Sequence, residues 1–153
     1  MPTFAIVSEK SNKALDVPSG SPEDALPIQQ YTFNGGQNQR WNLVRYSDQP
    51  FFQIVSVATA KVLTVLDASL EDGAQVCQFS PSDNPGQASQ AWKLVLVGLR
   101  SEGAGLLFAF KIVAVHSGKV LDVRGASTED HAVIQQYSDN GGANQIWWLE
   151  AQS

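Results

Sequence analysis

GKVLDVRGASTEDHAVIQQYSDNGGANQIWWL, residues 118–149, is a stretch whose outline recurs along the chain. Its first motif, GKVLDV at 118–123, is matched by NKALDV at 12–17 and AKVLTV at 60–65. Thirteen residues after the Asp or Thr of that motif stand Gln29, Cys77 and Gln135, and two further on stand Tyr31, Phe79 and Tyr137. NQRW at 38–41, SQAW at 89–92 and NQIW at 144–147 close the three copies, with Leu43, Leu94 and Leu149 at one common offset behind them. Self-similarity at a period of about 50 residues is a statement about fold before any single residue is read. The middle copy carries three extra residues around Asn84-Pro85-Gly86. The longer interval between copies two and three absorbs SEGAGLL, read here as a connecting loop.

Inside each copy the apolar residues alternate with polar ones, as in Leu15-Asp16-Val17 and Trp41-Asn42-Leu43, which is the period of a strand. Turn residues punctuate these runs at Pro18-Ser19-Gly20, Asn34-Gly35-Gly36, Asp72-Gly73, Asn84-Pro85-Gly86 and Asn140-Gly141-Gly142. The one candidate for a helical period, residues 87–96, runs into an evident strand and reads as a turn. A single copy cannot bury its own apolar face, whereas three around a common axis close a barrel without free edges. The expected fold is all-β: one domain over 1–153, a β-trefoil with pseudo-threefold symmetry. Its repeats fall at about 1–48, 49–99 and 100–153, with about four strands each, forming a six-stranded barrel capped by three hairpins. Trp41, Trp92 and Trp147 are expected in the core, each burying on the order of 200 Å². Leu15, Leu63 and Leu121 form a second core set, and Ile28, Val76 and Ile134 a third.

Fifteen acidic against ten basic residues give a net charge of -5, which argues against nucleic acid or an anionic membrane as partner. The single Cys77 allows neither an intrachain disulfide nor a thiolate metal cluster. No metal or cofactor is expected. MPTFAIVSEK lacks the basic stretch and apolar core of a secretory leader, and no apolar run approaches the roughly 20 residues of a spanning helix. The expected location is cytoplasmic without membrane insertion; leaderless export would look the same. A hydrophobic content of 43% with 16% charged residues is too apolar for disorder and too uncharged for a helical bundle.

The three in-phase Gln-x-Trp motifs, the upstream LDV and the NGGxNQxW loop together resemble the ricin-B-type (R-type) β-trefoil lectins, over essentially the whole chain. That resemblance implies carbohydrate binding in up to three shallow sites, one per repeat, most often for galactose or N-acetylgalactosamine. It assigns Asp16, Gln29, Tyr31 and Asn38 to a first site and Asp122, Gln135, Tyr137 and Asn144 to a third. Gln39 and Gln145 would orient the two aspartates, and Ser19 and Gly125 would offer backbone contacts to sugar. These residue types suit a pyranose, which presents a ring of hydroxyls and one apolar C–H face. A carboxylate accepts from adjacent hydroxyls, an amide donates, and an aromatic ring packs under the C–H face. The middle copy departs from the pattern: Thr64 replaces the Asp, Cys77 the Gln and Ser89 the Asn, leaving Phe79 as a platform. Losing the charged acceptor and the amide removes about 3–5 kcal/mol of polar interaction from a weak site. Two working sites and one inactive one are expected.

Plainer roles stand beside these. An Asp at position 16 or 122 also caps a turn. Tyr31 and Tyr137 also suit barrel packing, and reach the face opposite Ile28 and Ile134 only if the strand bends. Asn38 and Asn144 also suit a loop after Gly-Gly. His131 aligns with Ala25, within reach of the third site or simply solvated. His116 lies in a strand-to-turn segment. Cys77 reads as a half-buried, inert thiol. Lys13, Lys61 and Lys119 recur even in the copy without a site, which makes them structural or incidental. Trp148 breaks the repeat and points away from the core, to be covered by a loop, the chain end or a second subunit of a homodimer. No catalytic constellation is found: Gly-x-Ser-x-Gly, His-Glu-x-x-His and a phosphate loop are absent, and Glu71-Asp72 and Glu129-Asp130 read as solvated turn residues. The competing expectation is a trefoil that recognises protein, such as a protease inhibitor or toxin-carrier subunit.

Overall fold

The structure is a computed structural model describing residues 2–46, 48–82, 88–103 and 105–153. The Asn84-Pro85-Gly86 turn lies outside the described residues. The first repeat supplies β1 (Thr3–Ser8), β2 (Ala14–Asp16), β3 (Leu26–Pro27), β4 (Gln29–Tyr31) and β5 (Trp41–Arg45). The second supplies β6 (Phe52–Ser56), β7 (Val62–Val65), β8 (Val76–Phe79) and β9 (Trp92–Glu102). The third supplies β10 (Gly105–Ala114), β11 (Val120–Val123), β12 (Ile134–Tyr137) and β13 (Trp147–Gln152). Helical backbone among the described residues is limited to single 3₁₀ turns, one of them at Ala88–Gln90 just ahead of β9.

Six strands close on themselves in the order β1, β5, β6, β9, β10, β13, and β13 returns to β1 over the rungs from Thr3–Gln152 to Ser8–Trp147. This ring is the barrel, and closure removes the free edges that an open sheet would expose. The hairpins β2–β4, β7–β8 and β11–β12 form the cap. They are joined to one another by β3–β8 pairing and by bridges at Gln29–Val133 and Gln75–Gln135. The expected β-trefoil is therefore present.

The core is threefold in its residues. Trp41, Trp92 and Trp147 are fully buried with Ile6, Ile54 and Ile112, Leu15, Leu63 and Leu121, and Ile28, Val76 and Ile134. Each indole Nε1 donates to the carbonyl of the matching leucine, at 2.9–3.1 Å, so the large side chain enters the core with its one polar atom satisfied. Leu94 packs against this cluster, so the middle repeat keeps its core.

Two further threefold sets tie the repeats together. Gln30, Gln78 and Gln136 are fully buried. Each donates twice to a neighbouring repeat's loop: Gln30 to the carbonyls of Ser127 and Glu129, Gln78 to Ser21 and Glu23, Gln136 to Ser69 and Glu71. Each also accepts from a hydroxyl of its own repeat, Ser11, Thr59 or Ser117. The recurring lysines are structural: Lys61 pairs with Asp24 at 2.8 Å, Lys119 with Asp72 at 3.3 Å and Lys13 with Asp130 at 3.9 Å. Every pair crosses from one repeat to the next.

Within SEGAGLL, Ser101 and Glu102 pair with Leu106 and Gly105 instead of forming a loop. β9 and β10 pair from Trp92–Ala114 out to Glu102–Gly105, so the inserted residues lengthen a hairpin, with an irregularity between Ala109 and Phe110. The run of Leu and Val on both sides favours continued pairing over an open connection. This hairpin also covers Trp148: the indole is buried with Ala5, Val7 and Ala109, Leu107 packs against that group, and the Arg100 guanidinium lies 4.2 Å over the ring. The cover is therefore the chain's own hairpin, and Trp148 presents no face to a second subunit. Cys77 is fully buried rather than half-buried, and burial pushes its thiol up to about 11.

Candidate functional site

Each cap hairpin ends in a 3₁₀ turn, and the loop before the repeat's Trp folds back against that turn. In the first repeat, Asp16 closes β2 and faces Gln29 of β4 across the hairpin. The Gln29 amide donates to Oδ1 of Asp16 at 3.0 Å, and the buried Gln39 donates to Oδ2 at 3.0 Å. Gln39 is itself fixed, donating to the Thr32 carbonyl and accepting from the Asn34 amide. Asn38 donates to the Val17 carbonyl at 3.0 Å and stands 3.4 Å from Oδ2 of Asp16. Asp16, Ser19, Gln29, Tyr31 and Asn38 line one open cleft of about 400 Å³, with Pro18, Asn34 and His131.

The third repeat repeats this geometry. Gln135 donates to Oδ1 of Asp122 at 3.0 Å and Gln145 to Oδ2 at 2.9 Å. Gln145 also donates to the Ser138 carbonyl and accepts from the Asn140 amide. Asn144 donates to the Val123 carbonyl at 3.1 Å. Asp122, Gly125, Gln135, Tyr137 and Asn144 line a cleft of about 500 Å³ with Arg124, Ala126 and Asn140. Ser19 and Gly125 occupy one turn position with left-handed backbone, φ 55° and 65°, which turns the chain over the cleft floor. Gln39 and Gln145 sit behind the clefts, holding the carboxylates.

Both aspartates are nearly enclosed. Burial pushes their carboxyls above the ordinary range, against the pull of the two amide hydrogen bonds each receives. The tyrosines need no bend in the strand. Ile134 and Gln136 point into the core, while Gln135 and Tyr137 alternate with them toward the cleft, and Ile28, Gln29, Gln30 and Tyr31 do the same.

The middle repeat keeps a cleft of about 360 Å³ lined by Thr64, Asp67, Phe79, Ser89 and Gln90, among others. Its polar geometry differs. The Thr64 hydroxyl turns back to the Val62 carbonyl, and Gln90 bonds the Ser80 carbonyl and the Ser82 amide, with Thr64 standing where the other repeats have the aspartate.

Two contributors differ from the expectation. His131 lines the first cleft, not the third, with its ring 5.0 Å from that of Tyr31 and Nδ1 3.2 Å from Oε1 of Gln29. Arg124 was missed in the third cleft, where its Nε donates to Oε1 of Gln135 at 2.9 Å. The His131 contact spans repeats, so no motif within one copy signals it.

The model of the ricin-type β-trefoil lectin domain-like family matches residues 2–79 and 84–153. The chain belongs to the ricin-type β-trefoil lectin family. Among solved structures, this lectin domain is similar to the designed threefold symmetric protein ThreeFoil, at 42% identity and TM-score 0.84 over 97% of each chain. It is also similar to an exo-β-1,3-galactanase from Clostridium thermocellum, at 38% identity and TM-score 0.85, covering 99% of this chain and 30% of that one. The Macrolepiota procera ricin B-like lectin, solved with lactose, shares the fold at 20% identity and TM-score 0.72 over 97% and 94% of the two chains. None of the curated proteins matches the sequence. A ricin-B-like lectin fold with lectin neighbours supports carbohydrate binding in general.

Proposed function

We propose that this chain is a non-catalytic lectin that binds neutral galactose-type sugars through two clefts, those of the first and third repeats. The observation that carries the reading is the duplicated set of a buried aspartate held on both oxygens by two glutamine amides, beside a tyrosine and an asparagine. Each carboxylate has its position fixed before a ligand arrives and keeps lone pairs for two adjacent sugar hydroxyls, while the tyrosine ring offers a surface for the C–H face. The middle repeat lacks the acceptor, the Gln29-type amide and the asparagine, having Thr64, Cys77 and Ser89 there, and keeps only Gln90 of that set; it serves barrel closure.

Few atoms of a monosaccharide are buried in so open a cleft, so each site binds on the order of 0.1–1 mM. Two sites on one rigid body raise avidity on a glycan-coated surface by about 10²–10⁴. One similar structure is by name an exo-β-1,3-galactanase, so β-1,3-linked galactose polymers belong among the probes. A glycan array followed by calorimetric titration tests the proposal. Galactose-type hits with a stoichiometry near two, abolished by Asp16→Ala with Asp122→Ala, are expected. A stoichiometry near three, or binding that survives the double substitution, overturns the site assignment.

A further inference from the structure

Each cap hairpin meets a loop that belongs to another repeat, and at the first cleft that loop contributes to the lining. Positions 25, 73 and 131 are equivalent, and all three have left-handed backbone: Ala25 at φ 64°, Gly73 at 83° and His131 at 73°. Their backbone amides dock on the carbonyls of Gln78, Gln136 and Gln30, so each residue faces a repeat other than its own. Only at the first cleft does this position bring a functional side chain.

The Gln29 amide spends its Nε2 on Asp16, so its Oε1 is left to accept, and Nδ1 of His131 is the donor to it. The same imidazole packs tilted against Tyr31, the ring on which a sugar would sit. In the third cleft Arg124 holds Oε1 of Gln135, and among the described residues Tyr137 has no aromatic neighbour. Both glutamines are held, but among the described residues only Tyr31 packs against a second ring.

We propose that His131 is the positioning residue that makes the two sugar clefts inequivalent: it orders Tyr31 and Gln29 in advance, so the first cleft binds more tightly and keeps binding further into acid than the third. This rests on the carbohydrate-binding reading of both clefts. Ordering the platform beforehand removes a cost that the third cleft meets on binding. The groups facing His131 are Asp16 on β2, Tyr31 on β4, and Asp130 beside it, which is paired with Lys13. An imidazolium there favours the ionised form of Asp16 while Asp130 opposes it, and Asp122 feels Asp72 with no imidazole.

Asp122→Ala isolates the first cleft and Asp16→Ala the third. Each variant is titrated at about pH 7.5 and about pH 5 with the monosaccharide that binds the unaltered chain best on the array. The isolated first cleft is expected to bind about 2–10-fold more tightly, the range of one aromatic contact. His131→Ala, tolerated because Ala25 holds the same backbone conformation, should erase that advantage and raise the pH at which the first cleft loses sugar. It should leave the third cleft unchanged. Gly73→His, where a Cβ meets nothing nearer than Oε1 of Gln135 at 3.8 Å, should tighten the third cleft. Equal affinities in the two isolated clefts, or a pH profile indifferent to His131→Ala, overturns the inference. Absence of any sugar binding by the unaltered chain overturns instead the reading beneath it.

Discussion

At Gly36 a Cβ would lie 2.7 Å from Oδ1 of Asn38, and at Gly142 2.6 Å from Oδ1 of Asn144. The second glycine of each NGGxN loop is therefore a matter of space: the backbone presses on the asparagine that lines the cleft. Gly36→Ala should push the Asn38 side chain off the Val17 carbonyl and weaken the first cleft about tenfold, the value of one well-placed polar contact, while the third keeps its affinity. Titration of that variant in the Asp122→Ala background checks it. The aspartates give a second expectation at this scale. Their carboxyls are raised from the ordinary 3.8, so as pH falls they take up protons before an exposed Asp does. Sugar binding, which needs the carboxylate, should fall off above pH 3.8, with the fold intact by circular dichroism. The stability sign is opposite. A raised folded-state pKa means that protonation favours the folded chain, so these two residues do not drive acid unfolding.

The cap hairpins owe their mutual position to groups that a search for binding residues passes over. Gln30, Gln78 and Gln136 recur in all three copies, including the copy without the site set, and that persistence is the mark of a structural residue. Gln78→Ala would leave the carbonyls of Ser21 and Glu23 and the Thr59 hydroxyl without their buried partner. A loss of about 2–4 kcal/mol in urea unfolding is expected, although Gln78 touches neither sugar cleft. The lysine seams act in acid: Asp24, Asp72 and Asp130 have lowered carboxyls, so their contribution holds above 3.8 and is lost as pH falls below it. Lys61→Met should therefore cost stability at neutral pH and make little difference in strong acid, as read by Tm against pH. The β9–β10 hairpin is the element least legible in the sequence. Repeat alignment reads an insertion as a loop, but strand pairing depends on what each side meets, and here Leu99 meets Phe108 across the hairpin. Leu99, Leu106 and Phe108 remain exposed on it. Leu106→Lys should raise solubility without lowering Tm, since that side chain packs into neither buried cluster.

For the molecule as a whole, the threefold core and the candidate clefts obey different rules. Trp92 is as buried as Trp41 and Trp147 although its repeat has Thr64, Cys77 and Ser89 in place of the aspartate, glutamine and asparagine of the other clefts. Trp92→Ala and Trp41→Ala should each cost about 3–5 kcal/mol, yet Trp92→Ala should leave the stoichiometry of sugar binding near two in any fraction that folds. Equilibrium unfolding and titration of the same sample separate the two effects. The core was legible because it repeats in register, and Asp16, Gln29, Tyr31 and Asn38 were legible because the third copy repeats them. His131 and Arg124 were not, since one crosses between repeats and the other occurs once. Closure of the ring has a last consequence. Because β1 and β13 pair along their length, Thr3 lies beside Gln152, and the two ends of the fold leave the barrel at one place. A short linker could join them and new ends could be opened at the exposed Asp48, between β5 and β6, giving a chain with its repeats in rotated order and the same clefts. For the same reason the fold can be set into a surface loop of another protein without holding that loop apart.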